Sequence, residues 1–378
     1  MKKLLAVFLC LSMLLAVGCG EDASSSAQSA PESQSASQPE DERVSAAPLD
    51  HNLLTGDYDE GAEDTRPIAI MISNEPGAYP PWGIQDARVV LEVLSEGKIP
   101  SMMCMFDNRS TLPDVGPVAP GRDVPWQLAM PSQALLVQVG SNPYTDNLLN
   151  LYHYQNLDGQ HVGVTAFDFD HDRDLAGYAN EFCWYTKQDL IKNGMEQYGM
   201  HRHSTEAQSL FDFGEKAEVP QGAVPADKLR ISFSDEWRTR IDYQDGKYRK
   251  YLPSGDPQVE AVTGEQLTFD NCVVLCASTG VKDDGFTRDY DMTRGTGVYL
   301  TEGTYLPILW QKGRPDQPVR LFTMDGEPVK VNPGSTYLAV YGNFAGQDLS
   351  VRLDSEPVEL HPLPGEMAEE EAEEQSED

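Results

Sequence analysis

Helical periodicity ends near Leu229, and that break constrains the fold of this 378-residue chain more than any other feature. Beyond it, short β-branched and aromatic runs recur, divided by Asp245-Gly246, Ser254-Gly255, Glu302-Gly303 and Asp325-Gly326. Such pairs accept the positive φ angles of tight hairpin turns. The clearest strands there are 247–251, 271–277, 297–300 and 335–341, so this half reads as an antiparallel sheet or meander. Before the break, strands and helices mix. The apolar runs 67–73, 88–94, 101–106 and 134–139 read as strands, and 146–153 and 186–194 as helices. In the second helix Thr186 and Asp189 make a capping-box pair and Gly194 a stop. The expected fold is α+β, with a mixed α/β domain over 65–215 and a mainly β domain over 226–345.

The flanks carry the location. Residues 1–18 open with two lysines, continue with an apolar run of about 15 residues, too short for a comfortable span, and end in small residues before Cys19. This is the layout of a lipoprotein signal: the leader is cut off and the Cys19 thiol takes diacylglycerol. An ordinary signal peptide cut near Gly18 is the alternative. Residues 20–49 are dominated by Ser, Ala, Gln and Pro and lack aromatics. Such a stretch buries too little to offset its ordering entropy, so 19–64 is expected to be a lipid-anchored disordered tether, of which the thirty residues 20–49 alone have a reach of roughly 30 Å. Residues 346–378 are expected to form a disordered acidic tail.

Lys+Arg total 28 against Asp+Glu 61, a net charge of -33. That balance excludes nucleic acid as a partner. The expected partners are the membrane, through the lipid, and an envelope component or envelope protein. The expected location is the extracytoplasmic face of the cell membrane. Cys104, Cys183, Cys272 and Cys276 remain once Cys10 leaves with the signal and Cys19 is lipidated. In an extended strand Cys272 and Cys276 lie about 13 Å apart, too far for a disulfide. Buried free thiols are the expectation, with a Cys104–Cys183 bridge as the alternative.

The run 65–72 (TRPIAIMI), then Ile84 to Ala87, Glu92, Glu96-Gly97 and 115–118 (VGPV), resembles the N-terminal half of the YerB-like lipoproteins. The run from Gly295 to Tyr337 resembles the C-terminal half of that family. The resemblance spans most of 65–342 and implies a bacterial, mainly Gram-positive, lipoprotein whose biochemical role is unassigned. Where the family pattern continues as Arg-Ser-Ala-Arg, this chain has Ala119-Pro120-Gly121-Arg122, so only Arg122 has a counterpart.

Arg122 with Asn74, Asp86, Glu92 and Glu96 is the candidate ligand-binding set. These residues sit at or near strand ends, where mixed sheets place ligand sites. Arginine offers a rigid fork for carboxylate or phosphate. Glu92 interrupts an apolar strand and needs a partner; the structural alternative is an ion pair with an arginine. Asp168, Asp170, Asp172 and Asp174 alternate. On a strand they would share one side at spacings of about 7 Å; in a loop they mimic a calcium loop. Arg173 and Ala179 hold the places of the loop glycine and the bidentate glutamate, which excludes an EF-hand. A looser calcium or magnesium site and a solvated acidic turn remain as readings, and no other cofactor is expected. The histidines match no zinc spacing, and no catalytic motif is present. A non-enzymatic envelope ligand-binding or docking module is the leading expectation. The alternative is a metal-assisted, phosphotransferase-like enzyme acting on an envelope polymer.

Overall fold

The strands Ile68–Ile72 and Val89–Val93 are buried at every position, and Ser101–Phe106 at all but its first. Strands apolar on both faces must lie in the middle layer of a core. The computed structural model describes residues 51–59, 66–107, 112–202, 204–342, 344, 346–354 and 356–358. The leader, Cys19, most of the tether and the acidic run from 359 lie outside the described residues.

Among the described residues the middle layer is a 12-stranded sheet. From one edge its order is Pro328–Val329, Arg320–Phe322, Thr304–Gln311, Arg294–Thr301, Asn271–Cys276, Thr336–Tyr341, Val89–Val93, Ser101–Phe106, Ile68–Ile72, Leu135–Gln138 and Asn156–Asp158, with Val224–Pro225 paired to Thr304–Gln311. The two sequence halves therefore share one sheet. They meet where Val89–Val93 runs parallel to Thr336–Tyr341, with Glu92 opposite Ala339.

One face of this sheet packs on a second, 6-stranded sheet built around Lys228–Ser232, Arg238–Gln244 and Lys247–Tyr251. Leu229, Ile231, Ile241 and Tyr248 from that sheet meet Ile70, Val90, Cys104 and Val274. The other face is covered by the helix Asp123–Ala129, whose Val124, Trp126 and Leu128 are buried, and by Leu149 of the helix Pro143–Leu151. The architecture is α+β, with mainly antiparallel strands in the C-terminal half.

Several expectations change. Asp348–Leu353 and Glu356–Val358 are strands, and the first pairs with Lys228–Ser232, so the ordered chain continues past 346. Order also begins before 65: Leu54 is fully buried and His51 bridges Tyr58. The second predicted helix spans Gln188–Gln197 without a side-chain cap, because the Thr186 hydroxyl donates to the Ala166 carbonyl instead. Gly194 lies inside this helix, where a Cβ would come within 2.8 Å of Ala166 Cβ. The hairpin turns at Asp245-Gly246 and Glu302-Gly303 form as the dipeptides predict, each with both residues at positive φ.

Candidate functional site

The strands Ile68–Ile72, Leu135–Gln138 and Asn156–Asp158 are parallel, as are Val89–Val93, Thr336–Tyr341 and Asn271–Cys276. Ser101–Phe106 is antiparallel to both Ile68–Ile72 and Val89–Val93, so all the others point one way. Their carboxyl ends make one edge, the usual place for ligands on such sheets. Glu96 lies just past the end of Val89–Val93, and Asn142 past Leu135–Gln138. Arg122 reaches the same edge because Ala119 N donates to Met71 O and Gly121 N to Gly140 O.

There Arg122 Nη2 donates to Glu96 Oε2 at 2.9 Å and Nη1 to Gly121 O at 2.8 Å. Asn142 holds Glu96 from the other side. Its Nδ2 donates to Glu96 Oε1 at 3.0 Å, while its Oδ1 caps the helix Pro143–Leu151 by accepting from Thr145 N at 2.9 Å. The Thr287 hydroxyl lies 3.5 Å from the same carboxylate. Next to Arg122, Asp123 pairs with Lys282 at 2.9 Å, and Lys282 also reaches Asp289 at 3.0 Å. Burial works against the Lys282 charge, but the two aspartates outweigh it and hold the ammonium above the usual lysine range. Gly121 is required by close approach: a Cβ there would sit 1.7 Å from Gln138 Oε1, the acceptor of the Trp126 indole N–H. Arg122 remains part-exposed, at 18 % for its side chain. Two of its five N–H donors are committed, leaving donors for a carboxylate or phosphate.

Asn74 and Glu92 belong to a different cluster. Both are buried, and Glu92 is 0 % exposed. Its expected arginine partner is instead Lys250, also 0 % exposed, at 3.0 Å. Asn74 Nδ2, the Thr239 hydroxyl and the Tyr337 hydroxyl also donate to the carboxylate, at 2.9, 2.8 and 2.7 Å. Lys250 also donates to Gln258, and Tyr79 to Asn74. This network joins the two sheets, and each carboxylate oxygen of Glu92 has two partners. Of the predicted set, only Glu96 and Arg122 are brought together at the edge. Asp86 is exposed on the short turn Ile84–Asp86.

Residues 54–201 match the N-terminal domain, and 229–338 the C-terminal domain, of the family described as "Protein of unknown function (DUF3048)". The chain belongs to this family. It is 25% identical over 301 residues to the protein named "Putative lipoprotein YerB" of Bacillus subtilis (strain 168), covering 76% of this chain and 84% of that one. The crystal structure of YerB from Bacillus subtilis superposes with a TM-score of 0.68 at 21% identity, over 79% of this chain and 99% of that one. The fold is thus shared with that protein.

On this DUF3048 scaffold the four alternating aspartates do not converge. Asp168 lies on the short strand Asp168–Phe169, and its carboxylate accepts from Phe169 N and the Tyr185 hydroxyl. Asp170 caps the helix His171–Leu175 by accepting from Arg173 N at 2.9 Å; Asp172 and Asp174 lie on that helix. Among the described residues no three His, Cys, Asp or Glu side chains are grouped to hold a metal. The residue between the aspartates has the structural role. Arg173 is buried, donates to the Ala78, Pro80 and Phe182 carbonyls, and stacks on Trp82 and Tyr178 at 4.6 and 3.8 Å. Cys104, Cys183, Cys272 and Cys276 are free and buried. Sequence reasoning missed Asn142, Thr287, Lys282 and Lys250. Asn142 before Pro143 was the one legible signal, as a helix cap.

Proposed function

We propose that this chain is an extracytoplasmic lipoprotein, anchored by diacylglycerol on Cys19, whose folded body binds an anionic small ligand or an anionic group of an envelope component at Arg122. The lipoprotein name of its Bacillus subtilis relative supports the anchor. No helix among the described residues is long and apolar enough to cross a membrane. The observation that carries the binding reading is the Arg122 guanidinium, oriented by Gly121 O and Glu96 at the carboxyl edge with donors to spare. In a chain of net charge -33, a local cation held at a sheet edge gives an anion its point of attraction.

Calorimetric titration of the mature chain with inorganic pyrophosphate tests the reading. Arg122→Ala should weaken binding by at least about tenfold, and Arg122→Lys should not restore it, because an ammonium lacks the fork. Equal affinity in wild type and Arg122→Ala would sink the reading. Cys19→Ser removes the thiol that would form the thioether. Membranes of cells fed a labelled fatty acid should carry label on the wild-type chain only.

A further inference from the structure

Alternate residues of a strand face opposite sides of its sheet. In the 6-stranded sheet Leu229, Ile231, Ile241 and Tyr248 face the core, so Lys228, Arg230, Arg240, Arg249 and Arg352 share the outer face with Asp242. The register sets like charges against each other: Arg230 lies opposite Arg240, and Lys228 opposite Arg352. Like charges directly opposite destabilise a strand pair. At the centre one carboxylate serves two guanidiniums. Asp242 Oδ1 accepts from Arg230 Nη1 at 2.8 Å, and its Oδ2 lies 3.5 Å from Arg240 Nε. Asp227, 2.8 Å from Lys228, and Asp245, 3.2 Å from Arg249, stand outside the strands, at the rim. Burial lowers the pKa of the Arg230 guanidinium, Asp242 opposes that, and the charges of Arg240 and Arg352 lower it again. The Lys228, Arg230 and Arg240 side chains stay part-exposed, at 25%, 22% and 33%.

The same sheet ends in the strand Glu356–Val358, which pairs with the strand carrying Arg352. The sequence then runs into 366–378, which holds seven glutamates, one aspartate and no lysine or arginine. From the register, the charge and this continuity we infer that the outer face of the 6-stranded sheet is the docking surface of the acidic run 366–378 of the same chain. Its carboxylates settle over Arg230, Arg240 and Arg352 and relieve the repulsion between them. The run is within reach. Eight residues from Val358 to Glu366 span up to about 28 Å, and neighbouring strands stand about 4.8 Å apart. Attachment makes the encounter intramolecular, at an effective concentration on the order of millimolar. An anion from outside must first approach a chain of net charge -33, whereas this run is already joined to the sheet. The face is separate from the Arg122 edge, and the inference does not depend on the binding reading there.

Phenylglyoxal modification of the full mature chain, followed arginine by arginine by mass spectrometry, tests the contact. A full-length variant carrying Glu→Gln at all seven glutamates of 366–377 leaves the described body untouched. In that variant Arg230, Arg240 and Arg352 should react at least about fivefold faster than in wild type, while the exposed Arg314 should react alike in both. Equal rates at the three arginines, or the same change at Arg314, overturns the docking. A second arm uses carbodiimide, which joins carboxylates to lysine amines, on an equal mixture of isotope-labelled and unlabelled chains. Links between Lys228 and 366–378 should form within one chain and fall at least about fivefold in 1 M salt. Links mainly between labelled and unlabelled chains would put the run of a second copy on the face and overturn the proposal. Links as frequent to the exposed Lys192 would do the same. So would protection of the three arginines only when polyphosphate or phosphatidylglycerol vesicles are added, which would give the face to an outside anion.

Discussion

Glu92 keeps a charge in the core only because other groups compensate it. Burial pushes its carboxyl up, but Lys250 and the hydrogen bonds from Tyr337, Asn74 and Thr239 outweigh that and hold it below the usual glutamate range. A depressed carboxyl contributes stability that is present above its unfolded pKa and is lost as pH falls through the folded value. Lys250→Met removes the compensating charge while burial remains, so the cost at neutral pH should be about 3–5 kcal/mol in urea melts. Without Lys250, burial is opposed only by the hydrogen bonds from Tyr337, Asn74 and Thr239, so the Glu92 carboxyl rises from its wild-type value and protonation relieves the variant. The deficit against wild type should shrink between about pH 7 and about pH 4. A deficit that grows on acidification would show that Glu92 is not the group left uncompensated.

Among the elements, the helix Gln188–Gln197 shows how packing reverses a propensity. Alanine in place of glycine inside a helix ordinarily stabilises by about 1 kcal/mol. At Gly194 the added Cβ would lie 2.8 Å from Ala166 Cβ and 3.0 Å from a Leu157 methyl, on the segment this helix covers. Ala166 has no rotamer by which to yield, and overpacking of this kind costs about 1–3 kcal/mol. Gly194→Ala should therefore lower the thermal midpoint; a raised midpoint would mean that the helix can lift off Ala166 freely. The same helix begins without a side-chain cap because Thr186, read as half of a capping box, spends its hydroxyl on Ala166 O.

Taken whole, the molecule joins its two halves at the centre of a sheet. Val89–Val93 pairs with Thr336–Tyr341 along its length, and Glu92 takes partners from 239, 250 and 337. A fragment covering 51–215 would expose a buried strand edge and a carboxylate stripped of Lys250. Calorimetry of the full chain should show a single transition, and fragments 51–215 and 216–358 should each show none. Two separable transitions would mean that the shared pairing contributes little to either half.

Local chemistry was legible in the sequence. The runs 88–94 and 101–106 are apolar at nearly every position and become buried strands within a residue of their predicted ends. The Asp-Gly and Glu-Gly pairs specify hairpins because tight turns need positive φ whatever the surroundings. The α+β class and the family resemblance followed from such features. Partners were not legible, because the chain brings them together from far apart. Glu92 declared that it needed a partner, but Lys250 lies 158 residues away on another sheet. Glu96 and Arg122 share an edge only because the strands before them run in one direction, and Thr287 meets Glu96 across 191 residues. Periodicity and turn preference act over a few residues and survive in the sequence alone. Strand order and the packing of one sheet on another act through space, and only they decide which charges meet.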